Sequence, residues 1–160
     1  MYALSSRTMT KERLSLKETQ EKDIIVRNSG IIEFQFVEDP PDGNLAIAQG
    51  EKDIPFPIKR TYWINKLNRP EAVRGKHAHI ELEQVIVCLN GSFTLHLDDG
   101  AKKQDIIMDS PYRGVILGKM LWHKMTDFSK DCVILVLAGD VYKEADYIRN
   151  YEDFLARLAQ

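Results

Sequence analysis

The sequence predicts an all-β domain, a β-sandwich or barrel, that ends in a short helix. From Asp23 onward, apolar runs of roughly four to eight residues alternate with Gly, Pro, Asn and Asp, a spacing typical of many short strands. The last part of the chain changes to the period of a helix. At 160 residues the chain has room for one such core. We therefore predict a single domain over residues 23–160, preceded by a flexible extension.

The elements follow in order along the chain. Residues 1–22 are polar and charged with scattered Leu, so we expect them to lie outside the core. The predicted strands follow in chain order: IIVRN, IIEFQFVED, NLAIAQ, IKRTYWIN, EQVIVCLNG, SFTLHLDDG, QDIIMDS, GVILG and DCVILVLAG.

Turn signals and a change of period complete the prediction. Asn90-Gly91 and Asp98-Asp99-Gly100 have the composition of hairpin turns. From Lys143 onward, the helical period places six residues on one face that can lie against the sandwich: Ala145, Ile148, Tyr151, Phe154, Leu155 and Leu158.

The net charge and the cysteines indicate which class of partner and which cellular compartment to expect. The chain has 22 basic and 24 acidic residues and a formal charge of −2, which argues against nucleic acid or an anionic membrane as the main partner and favours a small ligand. Cys88 and Cys132 lie inside apolar runs, where free cysteines behave as small buried hydrophobes. No run approaches the roughly 18 apolar residues of a membrane span, and we see no signal peptide. A cytoplasmic location is the expectation.

The reactive side chains are concentrated where one predicted strand begins. Side chains alternate along a strand, so His77, His79, Glu81 and Glu83 are expected to project to one side and to form a polar cavity. His123 is expected to reach the same cavity from a later strand.

Two interpretations of this histidine and glutamate spacing are possible. His77-x-His79-x-x-x-Glu83, with His123, is the arrangement by which cupins bind a divalent metal inside a jelly roll, and its donors suit iron, manganese, nickel or zinc. Alternatively, the histidines are hydrogen-bonded groups of a half-buried strand. Three convergent histidines and a glutamate are costly to bury without a use, which favours a functional site.

The same run resembles a known family. RGKHAHIELEQVIVCLNGSFTLHLDDG, with IPFPIKRTYWI before it and LWHKMTDFS, DCVILVLAGDVY and ADYIRNYEDFL after it, is similar to the WxcM-like sugar ketoisomerases, the dTDP-4-oxo-6-deoxyglucose 3,4-ketoisomerases. The resemblance implies a dimeric cupin jelly roll that binds a dTDP-linked 4-keto-6-deoxy sugar without a metal or other cofactor. It also implies a place in the biosynthesis of deoxyamino sugars for O-antigen or S-layer glycans.

Three residues are predicted to be catalytic. The R-G-x-H stretch is also similar to that of dTDP-sugar 3,5-epimerases, which identifies His77 as the proton-abstracting base. His79 would orient, relay or tune its neighbour. Tyr62, which shares strand parity with Arg60 and precedes the histidine strand by a short loop, is the candidate acid that supports the developing oxyanion, with packing in the core as the alternative.

Five further residues are predicted to bind the substrate. Arg74 and Arg60 can grip pyrophosphate oxygens in bidentate fashion, unless they are solvated surface groups. Trp122 either stacks on the base, walls the pocket or belongs to the core. His123 and Glu83 are expected in the same pocket. The competing functions are a metal-dependent cupin that uses His77, His79, Glu83 and His123 as ligands, and a non-catalytic sugar-nucleotide-binding cupin.

Overall fold

The computed structural model describes residues 24–160, so the extension predicted over residues 1–22 lies outside the described residues. The predicted all-β fold with a short C-terminal helix is confirmed. The strands are β1 Ser29–Glu33, β2 Gln35–Asp39, β3 Gly43–Ile47, β4 Arg60–Ile64, β5 Arg74–His79, β6 Gln84–Asn90, β7 Phe93–Asp98, β8 Lys103–Met108, β9 Arg113–Leu117, β10 Trp122–Thr126, β11 Val133–Ala138 and β12 Tyr147–Ile148, and the helix is α1 Tyr151–Leu158.

The strands form two antiparallel sheets that face each other. The first sheet has the order β1-β9-β6-β11-β4, and the second has the order β12-β5-β10-β7-β8. Strands β4 to β11 are distributed between the sheets in the order of a jelly roll, with successive strands usually in opposite sheets. A separate hairpin, β2-β3, stands outside both sheets.

Apolar side chains fill the space between the sheets. Ile86 and Ile134 of the first sheet meet Leu95 of the second, and each is at most 1% exposed. Both cysteines, Cys88 and Cys132, are free and buried in this core, as their apolar surroundings predict. A second cluster on the first sheet includes Phe34, Ile54, Phe56, Val85 and Val87.

One of the two predicted hairpin turns is wrong. Asn90-Gly91 joins β6 to β7, which belong to different sheets, so the chain crosses the sandwich there instead of folding back on itself. Gly91 has a φ of +74°, and a Cβ at this position would lie 3.1 Å from the Cα of Cys132. The other turn does close a hairpin, β7-β8, in which the Asp99 amide donates to the Lys102 carbonyl at 3.1 Å.

The helix is shorter than the apolar period predicts. Residues 144–146 form a 3₁₀ turn and β12 pairs with β5, so α1 begins only at Tyr151. Asn150 caps it by accepting a hydrogen bond from the Asp153 amide at 3.0 Å. Ile148 and Phe154 are both buried, but Ile148 reaches the core from a strand. Among residues 24–160, no helix has the length and apolar character needed to cross a membrane.

Candidate active site

A cavity of about 480 Å³ opens between the two sheets. Five of the residues singled out from the sequence line it: Arg60, Tyr62, Arg74, His77 and His123. The volume is that of a pocket for a small organic ligand. The other lining residues are Gly75, Gln84, Tyr142, Tyr147 and Arg149, with Ile64, Ile86, Leu117, Met125 and Val136 as an apolar floor.

A bulge in β5 brings Arg74 and His77 to the same cavity. Residues three apart on a regular strand point to opposite faces. Here His123 pairs with His77 while the next residue, Lys124, pairs with Gly75, so β5 has one extra residue at this point. Gly75 and Lys76 both have positive φ, 76° and 62°. The bulge thus turns the strand so that both side chains face the ligand space.

The three histidines form one cluster. The His77 ring lies 4.6 Å from the His123 ring and 4.9 Å from the His79 ring, measured between centroids, and both contacts are edge to face. His79 and His123 are 2% and 3% exposed, and His79 does not line the cavity. Of the three, His77 and His123 therefore reach the ligand space, and His79 stands behind them.

Burial holds the cluster uncharged. Desolvation lowers the pKa of His77, although a hydrogen bond to the Gly75 backbone acts in the opposite direction. Desolvation and the neighbouring His77 lower the pKa of His79 to about 4. The same causes lower the pKa of His123 to about 3. Near neutral pH, all three rings are free bases.

His79 has a carboxylate partner on the loop before β12. Its Nδ1 lies 3.0 Å from an oxygen of Asp146, and the other ring nitrogen, Nε2, is buried without a partner. The Asp146 carboxylate also accepts hydrogen bonds from the amides of Glu81 at 2.8 Å and Leu82 at 3.2 Å. The turn after β5 and the loop before β12 are thus joined at one side chain.

Tyr62 and Gln84 form a polar pair on the first sheet. The side-chain amide of Gln84, which is 1% exposed, donates to the Tyr62 hydroxyl at 2.8 Å. Because the hydroxyl oxygen accepts this bond, its own hydrogen is left to donate elsewhere. Burial raises the pKa of Tyr62, so the phenol keeps its proton and serves as a hydrogen-bond donor.

The cavity has a cationic lining. Three arginines, Arg60, Arg74 and Arg149, line it, and none of the described lining residues is acidic. The Nε and Nη2 atoms of Arg60 are buried without a partner, and its guanidinium lies over the rings of Tyr62 and Tyr142 at 5.3 and 5.7 Å. Buried guanidinium nitrogens without a hydrogen-bond partner are costly, so this position favours an anionic ligand.

Sequence reasoning missed one wall of the cavity. Arg149 stacks on Tyr147 at 4.3 Å and binds Glu144 through two nitrogens, at 3.0 and 2.9 Å. Tyr147 in turn lies 4.3 Å from the His79 ring. A signal was present, because Asp146, Tyr147 and Arg149 belong to the DYIR run that carries part of the family resemblance.

The predicted placement of Glu81 and Glu83 is wrong. Strand β5 ends at His79, and the bend that follows breaks the alternation of side chains. Glu81 is 72% exposed in an ion pair with Lys119, and Glu83 lines a separate surface depression beside that lysine. The residue that lines the cavity in place of Glu83 is Gln84, the first residue of β6.

Trp122 also lies outside the cavity. It precedes His123 on β10 and therefore points to the opposite face of the second sheet. There it is 8% exposed and packs beneath α1, with its ring 5.2 Å from Tyr151 and 5.7 Å from Phe154. Of the alternatives for this residue, packing in the core agrees with its position.

The four metal ligands suggested by spacing do not converge. Glu83 lies at a different surface, and in the described part of the chain no group of three His, Cys, Asp or Glu side chains has a geometry that could hold a metal ion. The donor set present does not fit the cupin metal arrangement.

Comparison with known proteins supplies the family. Residues 27–159 match the family model described as FdtA, WxcM-like, C-terminal. The chain belongs to this WxcM-like family. The match covers both sheets, the cavity and α1, so this family's fold extends over nearly all of the described residues.

Relatives in the WxcM-like family are sugar-nucleotide isomerases. The TDP-4-oxo-6-deoxy-α-D-glucose-3,4-oxoisomerase of Aneurinibacillus thermoaerophilus is 48% identical over 130 residues, 81% of this chain and 92% of that protein. The 3,4-ketoisomerase QdtA of Thermoanaerobacterium thermosaccharolyticum, solved with TDP, is 38% identical with a TM-score of 0.81 over 84% of this chain and 97% of that chain. A mutant of QdtA was solved with TDP-4-keto-6-deoxyglucose. A 3,4-ketoisomerase of Helicobacter canadensis is 40% identical with a TM-score of 0.79 over 83% and 98% of the two chains.

Proposed function

We propose that this WxcM-like protein is a sugar-nucleotide 3,4-ketoisomerase that converts dTDP-4-keto-6-deoxyglucose to a dTDP-3-keto-6-deoxyhexose. The observation that carries the proposal is the juxtaposition in one cavity of an uncharged histidine, a protonated tyrosine and an arginine with two buried, unpartnered nitrogens. The activities of the relatives described above agree with it.

The proposed reaction is a proton transfer through an enediol. The carbonyl at carbon 4 acidifies the hydrogen on carbon 3, and His77 removes that proton while the C3–C4 double bond forms and the C4 oxygen gains charge. Tyr62 donates a hydrogen bond to this oxygen. The proton then returns at carbon 4, and the hydroxyl proton moves from the oxygen on carbon 3 to the oxygen on carbon 4. Atoms and electrons balance within the sugar, so no oxidant or reductant is needed.

The arginines provide the proposed binding site for the diphosphate. Arg60 and Arg74 line the same cavity as His77, and a diphosphate would supply the anion that the buried Arg60 nitrogens lack. Guanidinium groups can hold phosphate oxygens through two parallel hydrogen bonds. Arg149 at the rim is a third candidate, already oriented by Glu144 and Tyr147.

The test is turnover of dTDP-4-keto-6-deoxyglucose in deuterated buffer, with the product analysed by NMR. We expect a 3-keto product labelled at carbon 4, with the same rate after treatment with EDTA. Binding of dTDP without turnover would instead support the non-catalytic binding cupin. Activity that EDTA abolishes and one metal restores would support the metal-dependent alternative.

We further propose that the protein is a homodimer. Strands β4 and β1 are the edges of the first sheet, and Trp63 on β4 is 66% exposed. On the β2-β3 hairpin, the directly paired Val37 and Leu45 are 48% and 59% exposed. Exposed apolar groups beside open sheet edges are typical of an interface. A cytoplasmic location and a role in deoxyamino-sugar biosynthesis for surface glycans complete the proposal.

A further inference from the structure

The side chain of Asp146 is surrounded by hydrogen-bond donors. One oxygen accepts from the Glu81 amide at 2.8 Å, and the other accepts from the Leu82 amide at 3.2 Å and lies 3.0 Å from His79 Nδ1. A carboxylate can only accept here, so Nδ1 of a neutral His79 must carry the ring proton. The lone pair of the imidazole is then on Nε2.

The second nitrogen of the His79 ring, Nε2, has no hydrogen-bond partner. Nε2 is buried without a partner, and the ring that carries it lies 4.9 Å from His77 and 4.3 Å from Tyr147 between centroids. The backbone also fixes the arrangement, because the Ile80 amide donates to the Asp146 carbonyl at 3.0 Å. The ring therefore has one anchored nitrogen and one uncommitted nitrogen inside the histidine cluster.

We propose that Asp146 is a positioning residue, which holds His79 in the tautomer with its proton on Nδ1 and keeps an accepting nitrogen next to His77. The inference rests on the proposed ketoisomerase function, in which His77 gains a proton. A neighbouring lone pair, backed by a carboxylate, stabilises the imidazolium that forms. The opposite tautomer would direct an N–H into the cluster when His77 becomes a cation.

Substitution by asparagine separates this role from a structural one. An asparagine at position 146 has one oxygen, and the shorter of the two amide contacts, to Glu81, is the one it should keep. Its NH₂ group would then face His79 Nδ1 and would require that nitrogen to accept. Asp146→Asn should therefore reverse the tautomer of His79 while the loop stays in place.

Nitrogen-15 NMR of the histidine rings of the full chain measures the tautomer directly. In the unsubstituted protein near neutral pH, we expect His79, assigned by its loss in His79→Asn, to have a protonated Nδ1 and an unprotonated Nε2. In Asp146→Asn we expect the reverse. A proton on Nε2 in the unsubstituted protein, or an unchanged tautomer in Asp146→Asn, would overturn the proposal.

Kinetics provide the second readout. We expect Asp146→Asn to lower kcat at least about tenfold, because a wrongly fixed tautomer of His79 no longer supports the charge that forms on His77, with little change in dTDP affinity. Asp146→Glu, which keeps the carboxylate, should recover part of the loss. The matched control is Asp140→Asn, since Asp140 pairs with Lys59 and Lys143 and does not contact the cluster.

Loss of the ketoisomerase function and loss of the Asp146 role give different results. If the unsubstituted protein does not isomerise the sugar nucleotide, the proposed function is wrong, although the NMR result on His79 can still be obtained. If the protein is active and Asp146→Asn retains full kcat, the positioning role is wrong and the ketoisomerase proposal stands.

Discussion

At the scale of single residues, the histidines of the cavity differ in what can reach them. His79 is 2% exposed and does not line the cavity, whereas His77 and His123 both line it, His77 as a half-buried ring and His123 as a ring that is only 3% exposed. Burial lowers the pKa of all three, so each is a free base near neutral pH. A base must also reach the substrate proton that it removes. His77 faces the ligand space, and Tyr62 lines the same space from the facing sheet.

His77→Asn should abolish most turnover and leave ligand binding intact. Asparagine retains part of the size and hydrogen-bonding capacity of histidine but has no basic nitrogen. General acid-base catalysis is typically worth about 10²–10⁴-fold, so we expect kcat to fall by at least that factor. Steady-state kinetics, with dTDP affinity from calorimetry, measure both quantities.

His79→Asn is the comparison for that substitution. Replacing a residue that orients or tunes its neighbour should lower kcat less than replacing the base itself. Near-normal turnover in His77→Asn with an inactive His79→Asn would reverse the two roles. Full activity in both variants would refute the mechanism.

The buried His123 should make the protein less stable in acid. Its pKa is about 3 in the fold, against about 6.5 for an unperturbed histidine. Between these values the unfolded chain binds a proton that the folded chain does not, so the free energy of unfolding falls as the pH falls from about 6.5. The slope is at most about 1.4 kcal/mol per pH unit for this group.

Urea denaturation at pH 7 and pH 5 measures the effect. His123→Asn should lose less stability between these pH values than the unsubstituted protein, by roughly 2 kcal/mol. His79, whose pKa of about 4 shifts in the same direction, should account for part of the remaining dependence. An identical pH dependence in the variant would contradict this assignment.

At the scale of elements, the bulge in β5 does the most to define the site. Arg74 and His77 share the cavity only because Gly75 and Lys76 insert one extra residue opposite His123 and Lys124. A Cβ on Gly75 would lie 3.1 Å from the His123 carbonyl oxygen and 3.2 Å from the Lys124 Cα. The positive φ of 76° and this close approach both favour glycine.

Gly75→Ala should therefore damage stability and catalysis together. A non-glycine residue in this backbone region costs about 1–3 kcal/mol, and the backbone of β10 cannot easily yield. We expect a lower urea midpoint and a reduced kcat, because the His77 and His123 rings shift relative to each other. Gly30→Ala in β1 is the control, since its Cβ would make an ordinary 3.4 Å contact with Ile116 and lies outside the cavity. Equal kcat in the two variants would show that the bulge does not set the site geometry.

Side-chain alternation predicts the site well within a strand and poorly across its end. It correctly groups Arg60 with Tyr62 on β4, because both lie inside one regular strand. It fails for Glu83 because the bend after His79 resets the pattern, and β6 begins in the other sheet with Gln84. Such a bend depends on the tertiary contact with Asp146, which lies far along the chain.

Apolar periodicity has a similar limit in the C-terminal tail. Ile148 and Phe154 fit one helical face by spacing, and both are buried. Pairing of β12 with β5 outweighs helix formation at Ile148, and this pairing depends on a partner strand that the local sequence does not specify. The fold class was predictable because it depends on many short runs, whereas these boundaries depend on single long-range contacts.

At the scale of the whole molecule, the exposed apolar groups on the β2-β3 hairpin predict association. Val37 and Leu45 are a directly opposed pair, and both are about half exposed. We expect a dimer mass by light scattering at micromolar concentration. Val37→Lys combined with Leu45→Lys should shift the protein towards monomer, because charged side chains would replace the exposed apolar pair and would have to lose their water in the interface.

Leu155→Lys is the matched control for that pair. Leu155 is 37% exposed on α1, which packs through Phe154 against Trp122 of the second sheet, so its replacement should leave the mass unchanged. A monomeric mass for the unsubstituted protein would refute the dimer proposal. If the protein remains a dimer after the paired substitution, the interface lies on another surface.

The division of the cavity between two sheets bears on how the molecule acquires activity as it folds. Tyr62 and Gln84 belong to the first sheet, and His77 and His123 to the second. Strands β4 and β11 lie far apart along the chain but pair side by side in the first sheet, so their pairing must close a long loop. A chain with only one sheet formed has half of the site. We therefore expect recovery of catalysis during refolding to follow the docking of the two sheets, whereas far-UV circular dichroism follows the formation of β-structure.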